Sequence, residues 1–150
     1  MPTEVLFYHL ERQPLDRVLP ALLERTLERG WRAVVEAGSE ERMTALNALL
    51  WTYRADSFLP HGTRQDGMPE DQPVYLTTTP ENPNGATVRF LVDGAEPEGW
   101  QGYDRIVLIF DGADDTAVAA ARNHWKSAKA AGCALTYWQQ NQDGRWERKA

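Results

Sequence analysis

The chain predicts an α/β protein with a largely parallel sheet and helices on its faces. Three observations carry this expectation. Apolar runs of strand length alternate with stretches of helical periodicity from residue 4 to residue 51. The same order returns near the end, where IVLIFDG is followed by ADDTAVAAARNHWKSAKAAG and then CALTYWQQ. With 150 residues and 42% apolar content, one domain with a proper core is the natural outcome.

Each element has its own signal. Residues 4–10, EVLFYHL, form a short apolar and aromatic run typical of a buried first strand. Leu15, Val18, Leu19, Leu22, Leu23 and Leu27 recur at helical spacing across residues 15–29, with Gly30 as a stop. Pro20 either bends the first turns of that helix or marks a start nearer residue 19. WRAVVEAG predicts a second strand, and residues 39–51 a helix begun by Ser39 with Glu41 and Arg42 in its first turn. This rhythm favours parallel pairing. The middle differs. RADSFLPHGTRQDGMPEDQP is rich in turn residues and predicts a long surface loop, followed by a strand at PVYLTTT and a turn at ENPNGA. TVRFLVDG is another extended run, and the Asn84-Gly85 step before it would close a local hairpin with some antiparallel pairing. After a polar loop containing Trp100, residues 104–110 are the strongest candidate for a central strand. The final DGRWERKA would pack Trp146 and leave its charges in water. Without a repeat, heptad seam or linker, residues 1–150 are expected to be one domain.

Charge narrows the function. The formal net charge is −6 and the pI about 5.1, which weighs against a free-standing nucleic-acid binder with a broad basic face. Within this acidic chain, Arg122, Lys126 and Lys129 fall at i, i+4 and i+7 and line one helical stripe. Trp125 sits at its edge. A positive strip bordered by an indole suits an acidic or carboxylate-bearing ligand. No run of 18 apolar residues predicts a membrane span, and MPTEVLFYHL lacks the basic start and long apolar core of a signal peptide. The single Cys133 excludes an internal disulfide and any CxxC site, and it suits a reducing cytoplasm.

Motifs for catalysis are thin. Neither GxGxxG nor GxxxxGK[ST] occurs. Asp111, Asp114 and Asp115 follow a strand, where ligands often bind in such sheets, and would be placed to hold Mg²⁺ in a nucleotide- or phosphoester-processing enzyme. The simpler expectation is that Asp111-Gly112 shapes a turn while Asp114 or Asp115 caps the helix. His9, His61 and His124 show no ligand spacing, Ser57 lies outside any GxSxG elbow, and Cys133 lacks an obvious base. The aromatics are more suggestive. Trp51, at a helix end, and Phe58, in the proline-containing loop behind it, would join Trp125 to wall an apolar notch. Arg122 and Lys126 would receive carboxylates beside it, with His61 adding a contact from an exposed loop.

An ordered set of segments carries a family resemblance across the chain. It runs from FYHL at 7–10 through ALLWTYRADSFLPHG at 48–62 and QPVYLT at 72–77 to IFDG at 109–112. It continues as AARNHWKSAKAAGCALTYWQQ and GRWERK. In these the chain resembles the chi subunit of bacterial DNA polymerase III, a small accessory protein of the clamp-loader assembly. The resemblance implies a single three-layer α/β/α domain around a mainly parallel or mixed sheet, Rossmann-like but without a phosphate-binding loop. It also implies no catalysis and no cofactor. The implied partners are the psi subunit, which tethers chi to the clamp-loader ATPase, and the acidic, Phe-terminated tail of single-stranded DNA-binding protein, which connects it to protein-coated single-stranded DNA. By position, Trp51 and Phe58 match tail-pocket residues, Arg122 and Lys126 match basic contacts, and Trp125 stands where an aromatic is common. Val118 departs from a basic residue found one turn before Arg122 in one branch, and Lys129 is the candidate to compensate.

Overall fold

The structure, a computed structural model, describes residues 2–11, 13–53 and 59–150. Its elements in chain order are β1 (Glu4–Leu10), α1 (Leu15–Glu28), β2 (Ala33–Ala37), α2 (Glu40–Thr52), β3 (Val74–Thr77), β4 (Val88–Val92), β5 (Arg105–Asp111), α3 (Asp115–Ala130), β6 (Ala134–Gln140) and β7 (Trp146–Arg148). Two 3-10 turns, Arg64–Asp66 and Pro69–Asp71, precede β3. The seven strands form one sheet in the order β3-β2-β4-β5-β1-β6-β7. Every neighbouring pair is parallel except β6 and β7.

Parallel strands need crossovers, and the side-chain period of two divides what the crossovers cover. Leu6, Leu10, Val35, Phe90, Val107 and Ile109 face one way and bury against Val18, Leu19 and Leu23 of α1 and Leu46 and Leu50 of α2. Val5, Phe7, Ile106 and Leu108 face the other way and bury against Ala121 and Ala128 of α3. Thus α1 and α2 cover one face and α3 the other. Buried on both sides, β2 and β4 are apolar almost throughout, as expected of interior parallel strands.

Local chemistry explains the helix boundaries. Ser39 caps α2 by accepting from the Arg42 amide at 3.2 Å. Pro20 neither starts α1 nor breaks it. The helix begins after Pro14, and Pro20 lies buried inside it, one missing amide being offset by the apolar face it helps to cover.

Two expectations are corrected. The Asn84-Gly85 step does not close a hairpin, because β2 lies between β3 and β4 and pairs in parallel with both. Asn84 is instead buried, and its Nδ2 donates to the carbonyls of Ala33 at 3.1 Å and Gln72 at 2.8 Å, pinning the connection beneath the sheet. The stretch before β3 is not simply a surface loop. Leu59, His61 and Thr63 are buried, and Gly62 bridges Tyr75 in parallel. The final segment packs Trp146 and leaves its charges exposed as expected, and it does so as a strand, β7, whose Trp146 meets Tyr8 edge-on at 5.0 Å.

One polar pair is buried in the sheet. Arg89 donates to Glu36 through Nε at 2.9 Å and Nη2 at 2.8 Å, and both side chains are at most 5% exposed. Removing one partner would strand the other charge. Glu36→Ala should therefore cost about 3–5 kcal/mol, while Glu36→Leu combined with Arg89→Met should recover most of the loss. Urea denaturation of the single and double variants measures the difference.

Candidate functional site

Helix α3 positions the basic strip. Asp114 is its N-cap, accepting from the amides of Thr116 at 2.9 Å and Ala117 at 3.3 Å. Gly132, with φ +83°, ends it. Ala121 and Ala128 let the helix approach the sheet closely, and Trp125 turns inward beside them. Its ring lies 5.2 Å from Phe7 and 6.0 Å from Tyr137. Arg122, Lys126 and Lys129 remain exposed on the flank.

Beside Arg122 the sheet supplies an aromatic cluster that the sequence reasoning missed. Tyr137, Phe110 and His9 project from three adjacent strands onto the α3 face. Phe110 and Tyr137 are 6.1 Å apart, and His9 is 5.2 Å from Phe110. The His9 Nδ1 and the Tyr137 hydroxyl are 2.7 Å apart. Burial pushes the Tyr137 phenol up, Arg122 pulls it down and Glu11 raises it, so the guanidinium is close enough to act on that ring. Gly112 makes the packing possible, since a Cβ there would lie 2.0 Å from His9 Nε2 and 2.7 Å from the Leu10 carbonyl. The signal was in the sequence: counting by twos from Phe7 gives His9, and the same count in the paired strands gives Phe110 and Tyr137.

The remaining expected residues lie elsewhere. Trp51 is 56% exposed near the end of α2, and α2 covers the face opposite α3. It packs against His61 with ring centroids 4.7 Å apart. His61 is not in an exposed loop but 5% exposed, its Nδ1 2.6 Å from the Leu59 carbonyl and its Nε2 3.1 Å from that of Asn47. Phe58 lies outside the described residues. The structure therefore brings together Arg122, Trp125, Lys126 and Lys129, and it separates Trp51 and His61 from them.

The model of the DNA polymerase III chi subunit family, HolC, matches residues 1–136. The chain belongs to that family. It is also 28% identical over 111 residues to a probable DNA polymerase III subunit chi of Rickettsia prowazekii (strain Madrid E), a match covering 69% of this chain and 67% of that protein.

The cleft at the carboxyl ends of β1, β4 and β5, about 900 Å³, is where nucleotide ligands sit in comparable sheets. Here six carboxylates line it, those of Glu11, Asp16, Asp93, Glu96, Asp111 and Asp114, which would repel a phosphate. Its Arg42 is engaged with Asp93 at 3.0 Å, and the His124 Nε2 lies 3.3 Å from Glu96. Asp111 accepts from the Ala113 amide at 2.9 Å, completing the turn. Among the described residues no group of three or more His, Cys, Asp or Glu side chains is placed to hold a metal ion. No helix among them is long and apolar enough to cross a membrane.

Packing and exposure separate the roles of neighbouring α3 residues. Trp125→Ala should destabilise the fold by about 3 kcal/mol through the cavity it leaves. Arg122→Ala should stay within about 0.5 kcal/mol of the parent, as exposed substitutions usually do. Chemical denaturation of both variants checks the contrast.

Proposed function

We propose that the chain is a non-catalytic adaptor of the DNA polymerase III holoenzyme, a single α/β/α domain of Rossmann-like topology without a phosphate-binding loop. It works in the cytoplasm and supports DNA replication. It binds the psi subunit, which links it to the clamp-loader ATPase, and the acidic Phe-terminated tail of single-stranded DNA-binding protein, which links it to protein-coated DNA. The observation that carries the tail assignment is the α3 flank, where exposed Arg122, with Lys126 one helical turn on, acts on half-buried Tyr137, whose ring packs with Trp125 and Phe110.

The chemistry matches such a tail. Its acidic residues are repelled by most of a chain of net charge −6 and attracted to the strip, which steers encounter. Its terminal ring gains by leaving water for an aromatic surface. The α-carboxylate pairs with Arg122 or Lys126, so a chain end is preferred to an internal Phe. Lys129 extends the strip where Val118 offers no charge. We place Trp51 outside this notch, because α2 covers the face opposite α3. Its exposed indole, on the opposite face with Phe58 a few residues on in sequence, fits the second partner, psi. The alternative, an enzyme using Asp111 and Asp114, gains no support from carboxylates already bonded to backbone amides.

Calorimetric titration with the tail peptide, beside the same peptide lacking its last Phe, tests the reading. The intact peptide should bind and the truncated one should not. Arg122→Ala and Lys126→Ala should each weaken binding by roughly tenfold, the size of a lost charge-assisted hydrogen bond. Trp51→Ala should leave tail affinity within about twofold, since it touches neither ring nor carboxylate. Loss of binding in Trp51→Ala with Arg122→Ala unaffected would move the tail to the α2 face.

A further inference from the structure

A second basic feature lies on the other face of the sheet, at the amino ends of the strands beneath the last turn of α1. A small cavity of about 80 Å³ is lined by Tyr8, Arg25, Arg29, Trp31 and Arg105 together with apolar strand residues. Three guanidiniums line it and no carboxylate does. The Arg29 and Arg105 guanidiniums lie 5.1 Å and 5.2 Å from the centre of the Trp31 ring. Arg105 donates to Glu4 at 3.2 Å, just outside the cavity. Arg25 and Arg29 form no ion pair among the described residues, so two of the three positive charges are uncompensated there.

Packing does not account for this arrangement. Arg25 and Arg29 are spaced i, i+4 on one helix stripe, where like charges disfavour each other. The negative end of the α1 dipole offsets part of that repulsion. Arg105 is held from β5 by Glu4 and the Trp31 ring, but neither contact explains why the Tyr8 hydroxyl turns to the same space without a hydrogen-bond partner among the described residues. Burial pushes the Tyr8 phenol up, Arg105, Arg25 and Arg29 act against that, and Glu4 adds to it, while the phenol and the three guanidiniums line one cavity. The Thr26 hydroxyl nearby is already committed to the Leu22 carbonyl at 2.9 Å. What remains are donors: three guanidiniums and a phenol, with an indole beside them.

The geometry points to a binding site for a single phosphate group, carried by a strand of nucleic acid. The cavity holds two or three waters at about 30 Å³ each, far below the roughly 300 Å³ of a pocket that encloses a small molecule. It therefore takes one charged group of a longer ligand. A tetrahedral phosphate accepts from several directions at once and suits three converging guanidinium forks better than a flat carboxylate does. Trp31, partly exposed beside the cavity, offers apolar surface to an adjacent base. The site is separate from the α3 strip, which lies across the sheet.

The test uses the full chain and a fluorescein-labelled 15-mer of deoxythymidine, followed by anisotropy across a series of salt concentrations. The parent should bind weakly at low salt. Arg25→Gln and Arg29→Gln should each reduce affinity by at least about fivefold and flatten the log–log salt slope by about 0.7 for each phosphate contact removed. Arg122→Gln and Lys126→Gln should leave it within about twofold. Both α1 residues are exposed, so their variants should melt with the parent. The inference is overturned if the oligonucleotide does not bind, or if the α1 variants bind as the parent does. It is also overturned if binding follows Arg122 instead, or if an acidic peptide of equal charge displaces the strand as readily as unlabelled oligonucleotide.

Discussion

The arrangement depends on one constraint, the parallel pairing of β1 with β5 on one side and β6 on the other. Parallel neighbours cannot be joined by a turn, so the chain must cross the sheet to continue. It leaves β1 through α1 on one face and leaves β5 through α3 on the other. Passing over β1, α3 buries Ala121, Ala128 and Trp125 against Val5 and Phe7. That choice sets the rest. The flank left in water carries Arg122 and Lys126, and it lies beside the sheet face where His9, Phe110 and Tyr137 project from β1, β5 and β6.

Charge gives this geometry its use. In a chain of net charge −6 a short basic strip is a local exception that attracts an acidic ligand. The cleft that would take a nucleotide in a related topology carries six carboxylates, so electrostatics turns the switch point away from phosphate. The match over residues 1–136 places this chain in the DNA polymerase III chi subunit family.

Much of this was legible in the sequence because it rests on local rules. Helical spacing and Ser39 located α2, the Asp114-Asp115 pair located the start of α3, which Asp114 caps, and the Arg122, Lys126, Lys129 spacing gave the strip. What failed was long-range. The Asn84-Gly85 signal is a true turn signal, yet β2 occupies the place a hairpin partner would need, and no local rule reports strand order. Trp51 and His61 were grouped with α3 by residue type, whereas the face each helix covers is decided by crossover direction. Phe110 and Tyr137 were passed over because each looks like core in its own strand. Only the register of β5, β1 and β6 puts them beside one another and beside Arg122.

The central claim is that the acidic, Phe-terminated tail sits on the α3 flank and not on the α2 face. Amide chemical-shift mapping of the isotope-labelled chain during addition of the tail peptide tests it directly. The account predicts saturable shifts clustered at His9, Phe110, Arg122, Lys126 and Tyr137, with Ala48 to Tyr53 unmoved. Shifts confined to Trp51 and its neighbours, with α3 silent, would contradict it.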